Sequence, residues 1–96
     1  MKRFELSRRA QKDLELIADY IFLDNPDAAD AVLDDFNLAF RSLAQMPFMG
    51  HTRTDLTARN VRFWPVHSYL VVYRPGNPLR IVRVLHGKRD VRRILK

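Results

Sequence analysis

The chain has 96 residues, a net charge of +6, 47% hydrophobic and 10% aromatic side chains, and no cysteine. These totals exclude a disordered chain, a disulfide scaffold and a thiolate metal site, and they leave room for one domain spanning 1–96. A domain of this size buries roughly 60–70% of its unfolded surface, so a bound partner would add noticeably to its stability.

The charge is unevenly divided. Residues 1–40 carry 5 basic and 9 acidic side chains, and residues 41–96 carry 12 basic and 2 acidic ones. The second half therefore attracts an acidic peptide, nucleic acid, or a protein bound to nucleic acid, unless it is simply a solvated basic face. Met1-Lys2-Arg3-Phe4-Glu5-Leu6 lacks the apolar run of a secretion signal, and no later stretch is long enough to span a bilayer. With cysteine absent, a cytoplasmic location is expected.

Lys2 to Leu6 reads as a short edge strand. Ser7 is a suitable N-cap for a helix in which Ala10, Leu14, Ile17, Ala18 and Ile21 recur at helical spacing. That helix ends near Asp24, because Pro26 turns Asn25 away from the α conformation. Asn25-Pro26-Asp27 opens a second helix, with Asn25 as N-cap, Pro26 at the first position and Asp27 against the positive end of the dipole. Its apolar stripe is Ala29, Val32, Leu33, Phe36, Phe40 and Leu43, and it stops before Pro47. So short a break predicts an antiparallel helical hairpin.

His51 to Asn60 is a polar, basic loop. Three runs rich in β-branched and aromatic residues follow, at Val61–Trp64, Ser68–Arg74 and Leu79–Asp90, separated by Pro65-Val66-His67 and Pro75-Gly76-Asn77-Pro78. They predict an antiparallel meander. Tyr69, Val71 and Tyr73 point one way and Leu70 and Val72 the other, while Ile81 and Leu85 oppose Val82 and Val84. Asp90 to Lys96 forms about two helical turns. The expected fold is α+β: an N-terminal edge strand, a two-helix hairpin on one face of a small antiparallel sheet, and a short C-terminal helix.

Both faces of the meander are apolar, unlike a half-solvated sheet. One hairpin covers one face and the tail only part of the other, leaving an apolar surface for a partner or for self-association. The three histidines, His51, His67 and His86, have no metal-ligand spacing, no glycine-rich phosphate loop is present, and no cofactor is implied. His86 suits a hydrogen-bonded structural role, with Asp90 as a partner. Arg62 and Arg83 suit pairing with helix carboxylates such as Asp13 or Asp19 as well as they suit function.

Leu6-Ser7 with Ala10 and Asp13-Leu14, Tyr20-Ile21, Asn25-Pro26 with Ala28-Ala29, Leu43-Ala44, Pro47, Met49-Gly50 and Val61-Arg62 occur in this order. Ser68-Tyr69-Leu70-Val71-Val72-Tyr73 and Ile81-Val82-Arg83-Val84-Leu85-His86-Gly87 with Arg89-Asp90 complete the series. Together they resemble the ParE branch of the RelE/ParE superfamily of bacterial toxins. The resemblance implies the toxin of a type II toxin–antitoxin pair, acting on DNA gyrase by protein binding rather than chemistry. It implies assembly with a cognate ParD-like antitoxin through an acidic amphipathic segment, and no sequence-specific contact with nucleic acid. Combined with the open sheet face, it places the antitoxin on Tyr69, Val71, Tyr73, Arg74, Ile81, Arg83 and Leu85, and the target on Lys88, Arg89, Arg92, Arg93 and Ile94.

The alternative is the RelE branch, which cleaves messenger RNA on the ribosome. His86, Arg62, Arg83, Lys88 and Arg89 are the residues that could activate the 2′-hydroxyl and neutralise the scissile phosphate. That branch generally has a basic residue where this chain has Leu70, and commonly a late tyrosine or histidine. Here no tyrosine follows Tyr73 and no histidine follows His86.

Overall fold

A computed structural model describes residues 3–95. Lys2, expected in the first strand, and Lys96, expected in the last helix, lie outside the described residues. The elements are β1 (Phe4–Leu6), α1 (Arg8–Asp24), α2 (Pro26–Gln45), β2 (Arg62–Val66), β3 (Tyr69–Arg74), β4 (Leu79–His86) and α3 (Val91–Ile94). Their order and type are those of the expected α+β fold.

Both long helices begin for the reasons the sequence supplies. Ala10 N donates to Ser7 Oγ at 3.0 Å, and Ala28 N donates to Asn25 Oδ1 at 3.2 Å. These side chains satisfy first-turn amides that have no partner within the helix. Asn25 is both the C-cap of α1 and the N-cap of α2, with an extended backbone (φ −157°, ψ 100°). A one-residue junction of that shape folds the helices back on each other as a hairpin.

The sheet order is β1-β4-β3-β2. β2, β3 and β4 form the expected antiparallel meander, whereas β1 pairs with β4 in parallel, Phe4 lying opposite Leu79 and Leu6 opposite Ile81. The sheet is therefore mixed, because the direction of β1 is set by the path of the whole chain and not by a local turn. β2 runs through Pro65 to Val66, past the expected break. As an edge strand it tolerates a proline whose missing N–H faces away from the ladder. A two-residue turn, His67-Ser68, joins β2 to β3, with His67 in the left-handed region at φ 55°. α3 is one turn rather than two, with Asp90 Oδ1 accepting from Arg93 N at 3.2 Å.

Two apolar clusters lie on opposite faces of the sheet. Under the hairpin, Ala10, Phe36, Phe40, Leu43 and Ala44 pack with Val71, Tyr73, Leu79, Ile81 and Val84. On the other face Val61, Phe63, Val72 and Leu85 pack with Val91 and Leu95, with Leu56, Leu70, Val82 and Ile94 around them. The alternation along β3 is as expected. Along β4 it changes, since a bulge sets Tyr73 opposite Ile81 but Val72 opposite Arg83. The extra residue reverses the parity of all that follows. Ile81 thus shares a face with Val84, and Leu85 with Val82, correcting the expected grouping.

The second face is not open. Leu56 and the tail residues Val91 and Leu95 close over it. Thr57 Oγ1 donates to Leu95 O at 3.2 Å, and Arg92 Nε donates to Asp55 O at 2.8 Å, fastening loop and tail together. A loop whose composition reads as polar thus supplies much of the missing cover. Surplus apolar surface lies instead on the helices, where Leu16, Tyr20 and Leu23 of α1 are 55%, 71% and 85% exposed.

Candidate partner-binding surfaces

β1 pairs with only the first part of β4, from Leu79 to Ile81. Beyond it, the edge of β4 is completed by the start of α1. Ser7 N donates to Ile81 O at 2.9 Å and Ser7 Oγ to Val82 O at 2.7 Å. Asp13, the one buried charged residue among those described, follows six residues further on. Its Oδ2 accepts from Val84 N at 2.9 Å and from Arg83 Nε at 2.8 Å, while Oδ1 accepts from Arg83 Nη2 at 3.0 Å. This bidentate pair saturates an edge amide and holds the guanidinium pKa above its ordinary value, chiefly through the hydrogen bonds to Asp13. Arg83 is thereby committed to the fold, the first of the two roles its sequence position suited equally.

Among the described residues Arg62 pairs with no carboxylate. Its Nη1 donates to Gly50 O at 2.8 Å, and its guanidinium lies 5.0 Å from the centroid of the Phe48 ring. The Tyr73 hydroxyl donates to Pro47 O at 2.8 Å and accepts from Gly50 N at 2.8 Å. Burial pushes the Tyr73 hydroxyl above its ordinary pKa, with the Gly50 N–H and Arg62 opposing the shift. Only glycine fits at position 50, because a Cβ there would stand 2.5 Å from Tyr73 Oη and 2.8 Å from Phe63 O.

At the other end of β4, His86 Nδ1 accepts from Lys88 N at 3.1 Å, and its ring meets Tyr69 edge-on at 5.2 Å. Asp90, the partner expected for His86, caps α3 instead. Lys88 and Arg89 sit in the turn after β4. With Arg92 and Arg93 they form an exposed basic end, and Ile94 is half-buried beside them. The residues of the ribonuclease alternative are therefore scattered, with Arg62 and Arg83 each occupied by structural partners away from this turn.

The structure divides the seven residues expected to meet an antitoxin. Val71, Tyr73 and Ile81 are 0% exposed beneath the hairpin, and Leu85 is 1% exposed beneath the tail. These four are core, which corrects their expected place on a free face. The cause is the choice of face: the hairpin covers the side that Tyr69, Val71 and Tyr73 share. Arg74 is exposed, Tyr69 is half-buried, and Arg83 is half-buried and held by Asp13. A second stripe on α1, absent from the expected contacts, is legible in the sequence, since Leu16, Tyr20 and Leu23 recur at i, i+4 and i+7.

Residues 4–91 match the family described as the ParE toxin of the type II toxin–antitoxin system, parDE. The chain belongs to the ParE toxin family. Y4kP, a candidate toxin of Sinorhizobium fredii, is 29% identical over 94 residues, covering 98% of this chain and 97% of that protein. A chain of the chromosomal ParDE system from P. aeruginosa superposes with a TM-score of 0.74 and 22% identity, covering 90% of this chain and 96% of its own. That superposition establishes the fold. As a ParE-family member the chain is the toxin of a ParDE-type toxin–antitoxin pair.

Proposed function

We infer that this toxin blocks DNA gyrase by protein–protein contact and is neutralised when its cognate antitoxin lays an amphipathic segment along the helical hairpin. The observation that carries the antitoxin side is the stripe of Leu16, Tyr20 and Leu23, large apolar side chains without a core partner on an otherwise soluble helix. Laying an apolar helix face against such a stripe removes it from water. The gyrase side draws support from membership of the ParE family and from the exposed basic end of Lys88, Arg89, Arg92 and Arg93. Charge of one sign at one end of a small protein speeds encounter with an acidic partner.

Controlled expression in a bacterium tests the target. Filamentous cells and a DNA-damage response are the expected result. Immediate arrest of translation, with messenger RNA cut at ribosomes, would instead establish the ribonuclease reading.

A further inference from the structure

At the end of the β3–β4 ladder away from His86, Arg74 lies directly opposite Arg80. Residues opposite one another on paired strands project to the same face a few ångströms apart, and like charges so placed repel. Glu5 of β1, opposite Arg80 on its other side, relieves one of the two, with Arg80 Nη1 donating to Glu5 Oε1 at 2.8 Å. Arg74 has no acidic partner among the described residues. The pair opens on a cavity of about 380 Å³ whose wall also includes Arg9, Arg59 and Arg83 and, among the described residues, no carboxylate. Val82, Ile94 and Leu95 supply its apolar lining. Arg83 is neutralised by Asp13 and Arg80 by Glu5, so among the described residues Arg9, Arg59 and Arg74 remain as guanidinium groups without a carboxylate partner around one half-enclosed space.

We propose that this cavity is a phosphate-binding site, fitted to the phosphodiester groups of a nucleic-acid strand and read without regard to sequence. Guanidinium forks match phosphate oxygens in bidentate geometry, and the strand's closely spaced charges match several arginines converging on one cavity. An acidic peptide fits less well, because peptide segments are held by buried apolar anchors. None of the exposed large apolar side chains, Leu16, Tyr20, Phe22, Leu23, Leu38, Met46 and Phe48, lines this cavity. The site is separate from the basic turn at Lys88 and Arg89 and does not depend on gyrase being the target.

Arg59 and Arg74 are exposed and engage no side-chain partner among those described, so Arg59→Gln with Arg74→Gln should leave the thermal midpoint unchanged. Fluorescence anisotropy with a labelled oligothymidylate of about 16 nucleotides measures binding by the full-length chain. The double variant should bind about tenfold more weakly at low salt, with its log–log salt slope shallower by about 1.4, the value for two lost contacts to a single strand. Lys12→Gln with Arg41→Gln removes the same charge outside the cavity and should change binding far less. Competition by tripolyphosphate as effective as by unlabelled oligonucleotide would keep the phosphate chemistry and assign it to a free polyphosphate. Equal losses in the two double variants would overturn the proposal, as would cavity-dependent binding of a glutamate-rich peptide with no binding of either phosphate probe. If the cavity variant melts early, Arg74→Gln alone decides between the same outcomes.

Discussion

Asp13 joins α1 to β4 with one carboxylate that serves both a backbone amide and a guanidinium. Asp13→Ala leaves the Val84 N–H and a largely buried Arg83 side chain without their acceptor. Losses of this kind cost about 2–4 kcal/mol, and urea unfolding should show it; Asp13→Asn, which keeps an acceptor oxygen, should cost less. Tyr73 offers a pH test. Its ordinary pKa is near 10 and is raised in the folded chain, so the folded state binds this proton more tightly than the unfolded state. That contribution is complete below pH 10 and is lost as pH rises above it. Tyr73→Phe should lower stability at neutral pH by about 1–2 kcal/mol, because Gly50 N loses its acceptor, and should flatten the decline measured above pH 10.

Among the elements, α3 carries two roles that a sequence cannot separate. Val91 and Leu95 close the second apolar cluster, while Arg92 and Arg93 face solvent. Deleting Arg89 to Lys96 would therefore strip packing and charge together. Leu95→Ala isolates the packing and should cost about 2–3 kcal/mol in urea unfolding through the cavity it leaves. Arg89→Gln with Arg93→Gln isolates the charge and leaves the Arg92–Asp55 hydrogen bond in place. This variant should fold with little change in thermal midpoint, kill fewer cells on induction, and still bind antitoxin as tightly in calorimetry. Equal weakening of toxicity and antitoxin affinity would place both partners on the tail.

For the whole molecule, the proposed function assigns its two partners to different elements, the antitoxin to α1 and the target to the C-terminal end. Tyr20→Lys with Leu23→Lys alters only exposed side chains, so its thermal midpoint should match that of the parent chain. Co-expressed antitoxin should nevertheless fail to rescue growth, with affinity reduced about a hundredfold if the stripe supplies central anchors worth about 3 kcal/mol. Rescue at the parent level would remove the stripe from the interface.

Local chemistry determined much of this protein from sequence alone. Ser7, Asn25-Pro26 and Pro47 delimit α1 and α2, because capping and proline geometry act within a few residues. The strand runs from Val61 onward and the alternation along β3 follow from short-range periodicity, and the ordered motifs carried the family. What only the tertiary structure decided depends on distant pairing. A bulge between Val72 and Tyr73 reversed the faces of Val84 and Leu85, and sequence periodicity assumes an unbroken ladder. Which face of the sheet the hairpin covers settled whether Val71 and Tyr73 are core or surface. The folding of residues 51–60 against the tail sealed the other face, and the opposition of Arg74 and Arg80 brought arginines far apart in the chain to one cavity. Burial is a property of what arrives from elsewhere in the chain, and a local reading contains no record of that arrival.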